Sequence, residues 1–167
     1  LGESTLSQLS AIDFGGDEYV EYIAAGATHL CAIVSSGLKC WGNNNNGQLG
    51  LGDATQRGRA EGSMGDNLPF VDLGSGLTPV DVVVGGNHSC ALLNNGQVKC
   101  WGSNTYGQLG YGEAVEDIGD EGNEMGDMLP FLDFGGPAVE ALSAGDNHTC
   151  ALLSDKSVWC WGKNASG

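Results

Sequence analysis

Six cysteines, three histidines and 21 acidic side chains are the groups in this 167-residue chain that could do chemistry. The cysteines fall into three local pairs: Cys31 with Cys40, Cys90 with Cys100, and Cys150 with Cys160. Paired thiols can form disulfides, hold a metal or stay buried as free thiols. Zinc takes thiolate pairs only a few residues apart, two segments to a site. Partners nine or ten residues apart do not fit that spacing, so no metal ligand is assigned among the cysteines. His29, His88 and His148 each stand two residues ahead of the first cysteine of a pair. A catalytic base is needed once. An imidazole present in every unit is expected to hold the fold together, through a hydrogen bond to backbone in a neighbouring turn. No nucleophile–base pair, phosphate-cradling loop or metal-ligand cluster stands out, so neither a catalytic residue nor a cofactor is expected.

The acids are concentrated. Glu113, Glu116, Asp117, Asp120, Glu121, Glu124 and Asp127 share one short stretch. Such crowding repels itself unless a cation or a basic partner neutralises it. Hard oxygens suit Ca2+, which makes Asp117, Asp120, Glu121, Glu124 and Asp127 weak calcium candidates. Their spacing is not that of an EF-hand loop, and a solvated acidic loop is the plainer reading. Overall the chain carries a net charge of -15, with only 6 basic residues. Binding to nucleic acid or anionic lipid through phosphates needs Lys and Arg and is not expected. The apolar runs are too short to span a membrane. Residues 1–10 hold neither a basic leader nor a long apolar stretch, so no signal peptide is expected in them.

The elements that position these groups come as a repeat. Lys39-Cys40-Trp41-Gly42 returns as Lys99-Cys100-Trp101-Gly102 and as Trp159-Cys160-Trp161-Gly162, at intervals of 60 residues. Asn46-Gly47-Gln48-Leu49-Gly50 matches Tyr106-Gly107-Gln108-Leu109-Gly110. The units are 1–50, 51–110 and 111–167. Within a unit, short β-branched runs bounded by Gly and Asn read as antiparallel hairpins. Nothing sustains a helical period with a cap. All-β repeats of this length suit one four-stranded propeller blade each. Trp41, Trp101 and Trp161 then pack the blades, with an indole N–H able to reach a partner. Trp159, where the other units have Lys, is left as an exposed aromatic.

Gly-x-x-His-x-Cys-Ala-Leu followed by Gly-x-Val-Lys-Cys-Trp-Gly-x-Asn-x-x-Gly-Gln-Leu-Gly resembles the repeat of the RCC1 (regulator of chromosome condensation) family. The resemblance covers nearly the whole chain. It implies an all-β propeller of the RCC1 type, about three blades of a seven-bladed ring with permuted strand closure. A three-bladed sector leaves open strand edges, which further blades outside this chain or copies of itself must cover. The family's best-known activity is nucleotide exchange on a small nuclear GTPase. That activity resides in loops peculiar to one member, so no residue here inherits it.

Hairpin register bears on the cysteines. With Asn94-Asn95-Gly96 as a three-residue loop, counting back through 93/97, 92/98 and 91/99 sets Cys90 opposite Cys100. The first unit is one residue shorter, and a two-residue loop, Ser35-Ser36, sets Cys31 opposite Cys40. Opposed strand positions lie within disulfide range. Three intra-hairpin disulfides are therefore expected, and with them an oxidising compartment, extracellular or at the cell surface.

Two insertions, 53–66 and 113–127, lead into copies of Met-Gly-Asp-x-Leu-Pro-Phe-x-Asp, at Met64 and at Met125. A motif kept in both is expected to dock through its Leu, Pro and Phe. Asn87, Asn147 and Asn164 begin glycosylation sequons, and Asn164, in a loop, is the best placed to accept a glycan. The function these features support is a non-enzymatic extracellular binding or structural module. It would be a rigid, disulfide-stapled propeller presenting acidic loops to a protein or glycan partner. The alternatives are a subunit of an extracellular fibre or surface assembly built by repeat-to-repeat association, and an accessory sector of a larger secreted enzyme.

Overall fold

The computed structural model describes residues 10–112 and 116–165. Among them, nine strands form three separate antiparallel sheets of three strands each, in sequential order. The first sheet holds β1 (Val20–Ala25), β2 (His29–Val34) and β3 (Gly37–Gly42). The second holds β4 (Pro79–Val84), β5 (His88–Leu93) and β6 (Val98–Gly102), and the third β7 (Val139–Ala144), β8 (His148–Leu153) and β9 (Val158–Gly162). No helix among the described residues is long and apolar enough to cross a membrane.

The turns set the register. Gly96 takes φ 79° at the third position of the Asn94-Asn95-Gly96 loop, and its N–H returns to the Leu93 carbonyl at 2.8 Å. In the first sheet Val34 pairs with Gly37 around Ser35-Ser36. Both turns leave the cysteines facing: Cys31 pairs with Cys40, Cys90 with Cys100 and Cys150 with Cys160. Each pair is a disulfide, and no described cysteine is free.

Where four strands per blade were expected, each sheet has three. In the fourth place the first two sheets have a single bridge, Gly42 to Arg57 and Gly102 to Ile118. The returning insertion cannot continue as a strand, because the next residues, Gly58 (φ 88°) and Gly119 (φ 99°), turn left-handed.

Strand alternation gives every sheet two working faces. On β5, Ala91 and Leu93 point back toward the first sheet, where they join Cys31, Ile33, Leu38 and Cys40 in one core. Cys90 and Leu92 point forward and join Ala151 and Leu153 of the third sheet in another. The middle sheet is thus packed on both faces, which is why every residue of β5 and β6 is buried. The forward face of the third sheet is uncovered, and β9 is exposed at Val158, Trp159 and Cys160.

Candidate functional site

The repeated polar residues meet between sheets. His29 Nε2 lies 2.8 Å from Ser89 Oγ of the next sheet, and Ser89 Oγ donates to the Gln48 carbonyl at 3.0 Å. A hydroxyl has one proton, already given to a carbonyl, so the imidazole must be the donor. The same carbonyl accepts the Trp101 indole N–H at 3.1 Å. One step on, His88 Nε2 meets Thr149 Oγ1 at 2.8 Å, and the Gln108 carbonyl accepts from Thr149 Oγ1 (3.1 Å) and Trp161 Nε1 (2.9 Å). The histidine partner is therefore a side-chain hydroxyl one sheet away, not backbone in a turn.

Both imidazoles are held neutral. Burial, reinforced by the charge on the next histidine, pushes His29 and His88 down to about 4. Their Nδ1 atoms are buried without a hydrogen-bond partner, as befits the Nε2–H tautomer. Packing around the rings is tight. A Cβ on Gly85 would lie 2.2 Å from His88 Cε1, and one on Gly50 (φ 67°) would lie 2.7 Å from the Trp101 indole nitrogen.

A second device holds the insertions. Lys39 Nζ donates to the carbonyls of Phe14 (2.6 Å) and Gly65 (3.2 Å) and lies 4.5 Å from the centroid of the Phe70 ring. Lys99 Nζ repeats this with Leu73 (3.0 Å), Gly126 (2.7 Å) and the Phe131 ring. Both side chains are buried. Burial lowers the Lys99 amine, with Asp127 and Asp72 pulling the other way. Trp159 occupies this place in the third sheet, 50% exposed and edge-on to Phe134. Of the docking trio expected, Leu68 and Leu129 are buried while Pro69 and Pro130 stay at the surface.

The acidic residues do not converge. Asp117 accepts from the Asn104 N–H and from Asn46 Nδ2, and Glu124 from the Gly119 and Glu121 N–H groups. Asp127 accepts from Ser75, which holds its carboxyl below the usual range. Asp120 is raised, chiefly by burial. Glu121 is exposed. The described residues contain no group of three or more His, Cys, Asp or Glu arranged to hold a metal ion, and Glu113 lies outside them. Asp117, Glu124 and Asp127 tie the second insertion down, and a cleft of 430 Å³ lies beside it, with Phe70, Met128, Asp72, Glu121 and Asp127 in its wall.

The sequon asparagines differ. Asn87 Oδ1 accepts from Thr28 Oγ1 (3.0 Å) and Gln48 Nε2 (3.2 Å) across the first inter-sheet seam, so it does not project freely from an edge. Asn147 is half-buried beside Asp146. Asn164 is exposed, and the Ser166 of its sequon lies outside the described residues.

Comparison with known proteins bears directly on the repeat. The model of the regulator of chromosome condensation (RCC1) repeat matches residues 20–48, 80–108 and 139–167, and a second RCC1 repeat model matches 40–92 and 95–152. The chain belongs to the RCC1 repeat family. It is 31% identical over 147 residues to the ultraviolet-B receptor UVR8 of Arabidopsis thaliana, covering 87% of this chain and 30% of the receptor. Against the regulator of chromosome condensation of Drosophila melanogaster it is 34% identical over 131 residues, 78% of this chain and 20% of that one. The crystal structure of yeast RCC1 (Prp20) with Kap60 bound shares its fold, with a TM-score of 0.65 at 20% identity over 86% of this chain and 32% of that one. The chain thus spans about a third or less of the length of these relatives. Its three sheets are blades of an RCC1 β-propeller.

Two groups of RCC1-blade residues escaped the sequence reading. The Ser89 and Thr149 hydroxyls were visible only as residues following His88 and His148, and Lys39 and Lys99 only as the residues Trp159 departs from. The hydroxyls' partners lie in the preceding blade and the lysines' partners in connecting segments, where strand patterning gives no local sign of them.

Proposed function

We propose that this chain is a non-enzymatic sector of an RCC1 propeller that works in an oxidising compartment, outside the cell or at its surface, as a rigid binding module for a protein partner. The observation that carries the reading is one disulfide per blade, with Cys31–Cys40 and Cys90–Cys100 sealed between blades. Cytosolic proteins are kept reduced, so a framework of this regularity belongs elsewhere. The binding surface is the side bearing the insertions. Phe70 and Met128 are 43% and 71% exposed there, among carboxylates. Of the basic residues, Lys39 and Lys99 are consumed in clamps, while Arg57 and Lys156 pair with Asp53 and Glu140. The presented field is strongly negative and suits a basic partner surface.

Intact-mass measurement on protein recovered from its native source tests the compartment. The expected mass is six hydrogens below that of the fully reduced chain, and free thiols would refute the reading. Binding through the insertions should weaken as salt shortens the reach of charge.

A further inference from the structure

The chain has two arginines, both in the first insertion and two residues apart, and the fold treats them differently. Arg57 is held. Its N–H and C=O pair with Gly42 at 3.2 and 2.9 Å, and its guanidinium meets Asp53 at 2.7 Å. Arg59 is exposed, with no hydrogen bond or ion pair among the described residues. The insertion is anchored again at Gly65, whose N–H donates to the Asp13 carbonyl at 3.1 Å and whose carbonyl accepts from Lys39 Nζ. Between these anchors the loop is closed by its own side chains. The Gly58 N–H donates to Ser63 Oγ, which donates to the Ala60 carbonyl, and Asn67 Nδ2 donates to the Gly62 carbonyl. Arg59, Ala60, Glu61 and Gly62 are all exposed, and their N–H groups make no hydrogen bond among the described residues. The second insertion repeats the loop. Ile118 pairs with Gly102, the Gly119 N–H donates to Glu124, and Asn123 (φ 73°) stands where Gly62 (φ 74°) does. In the place of Arg59 it has Asp120, and nothing basic lies between Ile118 and Met125.

We propose that the Arg59–Ala60 peptide bond is a processing site for an arginine-specific endopeptidase, and that the cut protein keeps its fold as two chains. Such an enzyme takes the guanidinium into an acidic pocket, so the side chain must be free to leave the surface. It also needs the flanking backbone drawn out, and nicking concentrates at loop tips whose backbone is neither buried nor bonded. Arg59 meets both demands. Presenting Arg57 instead would break its bridge to Gly42 and its ion pair with Asp53. Hydrolysis adds one water across the bond, leaving a carboxylate on Arg59 and an ammonium on Ala60. No disulfide spans the cut, because Cys31–Cys40 stays with residues 1–59 and the other two with 60–167. The pieces are held by the first seam, where His29 meets Ser89 and the Trp101 indole donates to the Gln48 carbonyl, and by Lys39 on the Gly65 carbonyl. The inference stands on the loop alone and is independent of the compartment and of any binding partner.

The test incubates the folded chain with a trace of an arginine-specific endopeptidase and follows it by intact mass, gel filtration and non-reducing denaturing electrophoresis. A single cut is expected, giving residues 1–59 and 60–167 with one water gained. The cut protein should elute with the uncut chain and keep its circular dichroism, yet part into two bands in denaturant without any reductant. Arg59→Gln should leave the folded chain whole, while the same variant, reduced and unfolded, should still be cut after Arg57. First cleavage after Arg57 overturns the site, as does a folded chain left whole while the unfolded one is cut at both arginines. Fragments that separate in native buffer overturn the two-chain product.

Discussion

The second and third blades share the same hairpin motif and the same strand register, yet their chemistry differs. Cys90–Cys100 is sealed, whereas Cys160 is exposed. His88 is buried and held neutral, donating its Nε2–H to a threonine hydroxyl, while His148 is exposed. Lys99 is locked under an insertion, and Trp159 in its place is open. Local sequence decides which residues are paired across a hairpin. What covers the forward face decides whether a disulfide is inert, whether an imidazole finds a partner and whether a cation can be buried.

Acid should act on the two buried histidines by the largest margin. Unfolding returns His29 and His88 from about 4 to the ordinary 6.5, so below 6.5 the unfolded chain binds protons that the fold refuses. Their contribution is fully present above pH 6.5 and is lost as pH falls toward 4, by up to about 1.4 kcal/mol per pH unit for each imidazole. Denaturant melts across that window should show the loss. His88→Gln should flatten the slope.

The lysine clamp comes next. Lys99→Met leaves the Leu73 and Gly126 carbonyls without their donor and should cost about 2–3 kcal/mol in chemical denaturation. Trp159→Met, at the same place in an uncovered blade, should stay within about 0.5 kcal/mol of the parent. Ser89→Ala orphans the His29 donor and should cost about 1–3 kcal/mol, with Ser89→Thr restoring most of it as Thr149 does naturally. His148→Ala, without a partner to lose, should fall within about 0.5 kcal/mol.

The same contrast marks what could be read from sequence. Everything set within one hairpin was legible: the Asn94-Asn95-Gly96 loop and the shorter Ser35-Ser36 turn both fixed the cysteine register, because strand geometry is counted residue by residue. The indole N–H of Trp101 was expected to find a partner and does. What lay between blades was not legible. The hydroxyl that His29 reaches is 60 residues away, and the carbonyls that Lys99 binds belong to segments 26 and 27 residues off. The expected fourth strand failed for a local reason that patterning hid, since Arg57 and Ile118 each pair once before a left-handed glycine turns the chain aside.

Stepwise reduction of the native protein, with alkylation and peptide mapping at each stage, tests the central claim most directly. Thiol–disulfide exchange needs access to the sulfur. Cys150–Cys160 should open first, under conditions that leave the fold intact, while Cys31–Cys40 and Cys90–Cys100 should resist until the protein unfolds. Simultaneous opening of all three in folded protein, or links between cysteines of different blades, would contradict the account.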